Sequence, residues 1–335
     1  MSRTSARPWR VLWAASAALV LAACTGPSAD TGAESSGQRQ QPQGVDTSAP
    51  MDFAVITHGS EGDAFWSVVK NGAEDAGHDL GVKVTYNGDG EPSAQAKLID
   101  NAVAQGKTGL VVSMANPDAL KDSIAAAVRA GIPVITINSG ADESKAFGAI
   151  AHVGQDEAVA GKAAGARLAD EGKKNILCVI HEAANSGLND RCDGARQGFG
   201  GGKVTNLQVD INNPTDTESR IRGALQTDPS IDGVLTLNSQ VADRAVAAAS
   251  SAGSKAAIAT FDLNTDVVNS IKAGRILFAV DQQQYEQGYL PIVMLKLYRE
   301  NGNTLGGGLP VFTGPGFVDR SNADQVGKYT ERGTR

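Results

Sequence analysis

Two apolar runs, residues 258–261 and 276–280, each end in side chains with hydrogen-bonding chemistry. Asp262 follows the first, and Asp281 and Gln282 follow the second. Asn138 and Asn238 hold the same position after the runs 132–137 and 233–237. In an open α/β sheet, polar groups just past the carboxyl ends of strands face the crevice where ligands bind. Each of these residues could instead cap a following helix, but the repetition of the placement favours Asn138, Asn238 and Asp262 as ligand contacts. Phe65 and Trp66 begin a helical segment. Neighbouring helix positions point about 100° apart, so the two rings are not expected to share one core face, and at least one is expected against a ligand. His58 and His181 also end strands and are weaker candidates for contact.

Chemistry of other kinds finds little support. His58, His78, His152 and His181 include no pair at metal-ligand spacing. The stretch Gly198-Phe-Gly-Gly-Gly-Lys203 fails as a phosphate loop, because Gln197 occupies its first glycine position and Val204 follows the lysine. It reads better as a helix end and turn. No nucleophile with a positioned base emerges, so hydrolysis is the weaker class, and no cofactor is expected.

Those residues need a scaffold, and the chain supplies a regular alternation. Strand-like runs at 52–57, 82–86, 109–113, 132–137 and 147–153 alternate with helical patterns at 64–80, 93–105 and 117–130. The pattern restarts with helices at 157–170, 187–199, 216–226, 240–252 and 265–273, interleaved with strands at 175–180, 204–209, 233–237, 256–261 and 275–281, and a last helix at 286–300. Such alternation predicts α/β lobes built on parallel sheets with right-handed crossovers. Two consecutive units with polar strand ends imply two Rossmann-like lobes facing each other across a cleft.

The amino-terminal stretch is of another kind. Arg3, Arg7 and Arg10 precede an apolar run at 11–23, and Leu21-Ala22-Ala23 leads directly into Cys24. This resembles a bacterial lipoprotein signal; the resemblance implies cleavage before Cys24, a lipid on its thiol, and attachment at the extracytoplasmic face of the cell membrane. Residues 24–50 are rich in Ser, Gly, Gln and Pro and form a tether. Cys178 and Cys192 remain, an even pair in an oxidising compartment, for which a disulfide is expected over free thiols or metal ligation with His181. A net charge of -7 argues against a nucleic-acid footprint, which would need a clustered basic face. Aromatics make up only 5% of the chain, which adds weight to any pair of them placed beside polar strand ends.

Taken in order, Asp63-Ala-Phe65-Trp66, the run 131–138 and Val153-Gly-Gln-Asp156 carry a family resemblance, followed by Asn189-Asp-Arg191-Cys-Asp-Gly194, the run 234–238, Thr260-Phe-Asp262 and the run 280–288. Through them the chain resembles the periplasmic sugar-binding proteins of ABC importers, in the ribose-binding-like branch of the type I periplasmic binding fold. The resemblance implies a hinge between an N-terminal lobe (51–153 plus 283–310) and a C-terminal lobe (154–282 plus 311–325). Its crossovers would fall near 152–155, 282–283 and 310–312. It implies that Phe65 and Trp66 stack on a ligand ring while Asp63, Asn138, Arg191, Asn238, Asp262 and Gln282 bond its hydroxyls, with His58 and Ser113 as further contacts. Ribose binders typically carry Asp-Arg where this chain has Asn138-Ser139, and Asn where it has Ser113. The change removes a carboxylate and a guanidinium and points away from ribose itself. The implied function is capture of a monosaccharide or polyol by a monomeric receptor and its delivery to an ABC permease. A receptor feeding a sensory system and an exported carbohydrate-active enzyme are the alternatives.

Flat aromatics cover the C–H faces of sugars and polyols, while amides, carboxylates and Arg read their hydroxyls in fixed geometry. The residue types fit that class independently of the resemblance.

Overall fold

The computed structural model describes residues 50–60 and 62–335. Cys24, the signal segment 1–23 and the rest of the expected tether lie outside the described residues.

The first half of the chain runs β1 Asp52–Thr57, α1 Ala64–Leu80, β2 Lys83–Gly88, α2 Pro92–Ala104, β3 Gly109–Ser113, α3 Pro117–Arg129, β4 Val134–Ile137, α4 Ala141–Ser144 and β5 Ala151–Gly154. The second repeats the plan with α5 Glu157–Asp170, β6 Asn175–Ile180, α6 Ser186–Gly198, β7 Lys203–Gln208, α7 Pro214–Thr227, β8 Gly233–Thr236, α8 Ser239–Ala252, β9 Ala257–Phe261, α9 Thr265–Lys272 and β10 Ile276–Asp281. The chain then returns with α10 Gln284–Asn301 and β11 Val311–Phe312, and crosses back for β12 Gly316–Asp319 and α11 Ala323–Thr330.

Two six-stranded sheets result, ordered β11-β5-β4-β3-β1-β2 and β12-β10-β9-β8-β6-β7. All pairings are parallel except β10 with β12. This is the α/β architecture that the alternation implied. In the first lobe α1 and α10 contribute to the core cluster that holds Phe53, Val55, Val69 and Ile292, and α2 and α3 to a second cluster around Ile99, Leu110 and Ile124. In the second lobe the corresponding layers gather around Ile221, Val241 and Val267 and around Leu168, Cys178 and Phe261.

Several boundaries differ from expectation for local reasons. Strand β4 starts at Val134 because the N–H of Ile132 still bonds Ala127 O in the end of α3, and Pro133 has no N–H to offer. Residues 147–149 close the turn of α4 through bonds to Glu143, Lys145 and Ser144, so β5 begins only at Ala151. The lobe boundary placed at 310 is corrected as well: Val311 and Phe312 pair with Val153 and Gly154 of the first sheet, and the chain changes lobe only after them.

Helices α5 and α6 approach closely because glycines leave room. A Cβ on Gly161 or Gly165 would come within 2.1 Å of Arg191 O or Ala195 O, inside any real contact. That approach sets Glu157, at the start of α5, beside Arg191 on α6. Cys178 of β6 and Cys192 of α6 form the expected disulfide, with Cα atoms 6.0 Å apart, one residue from Arg191. Closing a loop of this length contributes about 3 kcal/mol in the chain-entropy model. Replacing both cysteines with Ala is therefore expected to lower stability by about that amount in denaturant unfolding; an unchanged midpoint would remove the disulfide from the stability account.

Candidate ligand-binding cleft

The carboxyl ends of both sheets converge on one narrow cavity with room of about 30 Å³, well below the roughly 300–1,000 Å³ of open small-molecule sites, so the lobes stand closed on it. The first lobe contributes His58, Asp63, Phe65, Trp66 and Asn138; the second contributes Arg191, Asn238 and Asp262; Gln282 enters from the crossover. Of the residues expected at the site only Ser113 stays outside. Its hydroxyl lies behind His58, accepting the His58 N–H at 2.9 Å and bonding His58 Nδ1 at 2.7 Å. Asp281, singled out beside Gln282, is also withdrawn from the cleft: it accepts the Gln283 N–H and pairs with Arg335 at 2.5 Å. A larger depression of about 400 Å³ on the second lobe meets the first only at Ala64.

The polar walls have a common origin. A residue past the end of a strand is also the residue before a helix, so one side chain can cap and read at once. Asp63 Oδ1 accepts the N–H of Phe65 and of Trp66, and Asn238 Oδ1 accepts the N–H of Gln240 at 2.8 Å. Asn238 therefore caps α8 while standing in the cavity wall. For Asp262 the cap of the following helix is Asn264 instead.

Phe65 and Trp66 are both buried, and both lie in the core cluster and in the cavity wall. The expectation that adjacent rings would part is corrected, because the start of α1 sits at the corner where core meets cleft. Their rings meet edge to face at 4.9 Å, and Trp66 meets His58 likewise at 4.7 Å. Gly59 permits this: a Cβ there would lie 2.3 Å from the indole.

The family model described as periplasmic binding protein domain matches residues 53–303. The chain belongs to that family.

Among solved structures, this periplasmic binding protein is similar to a carbohydrate transporter from Acidothermus cellulolyticus 11B in complex with myo-inositol. The two are 44% identical, with a TM-score of 0.84 over 86% of this chain and 100% of that one. The ribose import binding protein of Haemophilus influenzae is 25% identical over 74% of this chain and 85% of its own length. The D-apiose import binding protein of Actinobacillus succinogenes is 25% identical over 83% and 91%.

Arg191 is not the surface charge that a pairing with Asp193 or Glu182 would make it. It is 3% exposed, and its guanidinium holds Glu157 through Nε at 2.5 Å and Nη2 at 3.0 Å. Nη1 donates to Leu237 O at 3.2 Å, and the group lies over Phe261, 4.6 Å from the ring centre. Asn138 and Asp262 are joined by the amide of Gln282: Asn138 Nδ2 donates to Gln282 Oε1 at 3.2 Å, and Gln282 Nε2 donates to Asp262 Oδ1 at 2.6 Å.

The wall also contains residues that the strand-end argument passed over. Glu182 and Asn185 belong to the loop between β6 and α6, and Asn185 caps α6. Asn185 Nδ2 donates to Glu182 Oε2 at 2.7 Å and lies 3.4 Å from His58 Nε2. The legible signal was the run Asn185-Ser-Gly ahead of a helix, which marks a cap. Glu157 left no local signal.

Burial governs the ionisation of the periplasmic binding protein's cleft. It pushes Asp262 up to about 7, against the pull of Arg191 and of the Gln282 amide. It pushes Asp63 up to about 6, against the N–H groups of Phe65 and Trp66. It drives His181 down to about 4 and lowers His58, so both imidazoles are neutral at pH 7. Burial alone would raise Glu182 too, but the charge that the His58 and His181 rings take up at acid pH, the Asn185 amide and Arg191 outweigh it and hold that carboxyl below its usual range. Among the described residues, no cluster of three or more His, Cys, Asp or Glu could hold a metal ion.

Proposed function

We propose that this chain is an extracytoplasmic receptor that encloses an uncharged monosaccharide or polyol between its lobes and presents it to an ABC import permease. The observation that carries the reading is the convergence of strand ends from both sheets on one cavity, walled by an aromatic corner and by carboxylates, amides and a guanidinium. Similarity to ribose and D-apiose import binding proteins, and to a carbohydrate transporter bound to myo-inositol, supports it. The receptor works as a monomer, tethered to the membrane by a lipid on Cys24.

Asn138-Ser139 favours a ligand other than ribose. Ser139 Oγ lies 3.0 Å from Asn138 Oδ1 and 3.2 Å from Asn185 Oδ1, so a small hydroxyl ties one lobe to the other where a ribose binder would place Arg. A ring that bonds Asp63 on one lobe and Asp262 on the other has differential affinity for the closed arrangement, which is what drives closure. Closed lobes then offer the permease one defined surface.

A thermal-shift screen over pentoses, hexoses, linear polyols and inositols tests the reading. A response is expected, with myo-inositol foremost; a ligand at a hundredfold excess over its Kd adds about 2.7 kcal/mol. A flat response to the whole panel would overturn it.

A further inference from the structure

Three carboxylates in the cleft are arranged alike. Asp63, Glu182 and Asp262 each commit one oxygen to the protein: Asp63 Oδ1 to the start of α1, Glu182 Oε2 to Asn185, Asp262 Oδ1 to Gln282. Among the described residues none bonds the second oxygen of any of them. An ionised carboxylate only accepts, so each second oxygen, when ionised, is open to a donor from a ligand. The three stand on different elements and on both lobes, which spreads the demand around a bound ring.

Among the described residues Arg191 is the only Lys or Arg in the wall, and Glu157 already holds it in a two-pronged pair. It can donate a hydrogen bond but brings no unbalanced positive charge. His58 does not offset Glu182 either. Asn185 Nδ2 has two protons and two acceptors in reach, Glu182 Oε2 and His58 Nε2, while His58 Nδ1 faces Ser113 Oγ. That network is complete with a neutral ring, and the 3.8 Å between His58 Nε2 and Glu182 Oε2 is too long for a direct bond.

We propose that Glu182 is a specificity-determining residue at the cleft mouth, accepting a ligand hydroxyl through its second oxygen and excluding sugars and cyclitols that carry a negative charge. Its position suits the role, because Glu182 also lines the wide opening that runs past Ser60, Asp89 and Asn212 to solvent. An incoming anion passes Asp89 and the exposed Glu91 and Asp210 of the same opening and then meets Glu182 at the entrance to the cleft. This inference rests on the receptor reading above and narrows its ligand class.

Isothermal titration with myo-inositol, D-glucose, D-ribose and D-glucuronate, on the wild type and Glu182→Gln, is the test. The wild type is expected to bind at least one neutral compound and to bind D-glucuronate roughly a hundredfold or more weaker than D-glucose, as like charges in a site of low effective dielectric require. Glu182→Gln, with an unchanged apo melt, is expected to weaken the neutral ligand roughly ten- to hundredfold, the scale of one charged hydrogen bond. It is also expected to narrow the glucose-to-glucuronate ratio by about tenfold. Silence from all four compounds would overturn the receptor reading and this inference with it. Tight neutral binding left untouched by Glu182→Gln, or D-glucuronate bound by the wild type as well as D-glucose, would overturn the inference alone.

Discussion

Asp262→Asn is expected to make the unliganded protein more stable at pH 8 and a poorer binder at every pH. The carboxyl titrates near 7 in the folded chain, above its ordinary value of 3.8, because it is buried. Between those two values the folded state holds the extra proton, so stability is fully present below about pH 4 and is lost as pH rises through 7. About three units of difference correspond to about 4 kcal/mol as an upper figure. Melting curves of wild type and Asp262→Asn from pH 4 to 8 should nearly coincide at the acid end and separate by pH 8, with the variant higher. Parallel curves would refute the account. Ligand hydroxyls donating to Asp262 favour the carboxylate, so wild-type affinity should rise from pH 5 to 7 with proton release, and the variant should lack that rise.

The second large effect is at Glu157. Removing one partner of a buried ion pair leaves the other charge uncompensated, at a cost of about 3–5 kcal/mol. Glu157→Ala should lose that much in denaturant unfolding, because Arg191 keeps direct contact only with Leu237 O and the Phe261 face, while the Asp262 and Glu182 carboxylates act on it without a hydrogen bond. Glu157→Leu with Arg191→Met should regain most of the loss, since apolar replacements of such pairs are often neutral. The double variant should still fail to bind the neutral ligand. A single variant costing under about 1 kcal/mol would show the pair to be solvated.

Both effects involve residues of unequal visibility in the sequence. Asp262 and Asn238 were legible because their placement after apolar runs repeats, and that placement is a property of the fold class. Asp281 has the same local signature as Asp262, yet its partner is Arg335, 54 residues on. No window around it could reveal that it turns away from the cleft. Glu157 stands 34 residues before Arg191, and only the packing of α5 on α6 brings them together. Phe65 and Trp66 misled for a related reason: helical spacing describes one face against one core, whereas the tip of α1 meets a core and a cleft together.

The matching strand order of the two sheets has a consequence for how a ring can lie in the cleft. Asn138 follows β4 as Asp262 follows β9; both have positive φ, at 62° and 68°, and each donates its backbone N–H to the neighbouring strand, at Val153 O and Val280 O. The halves thus repeat one strand order, with the Gln282 amide bridging the two counterpart positions. The chemistry of those positions breaks the likeness, an amide on one side and an acid on the other, as do the aromatic corner of the first lobe and Arg191 of the second. A ligand that is itself nearly symmetric would meet unlike groups on the two sides, and its two orientations would not be equivalent.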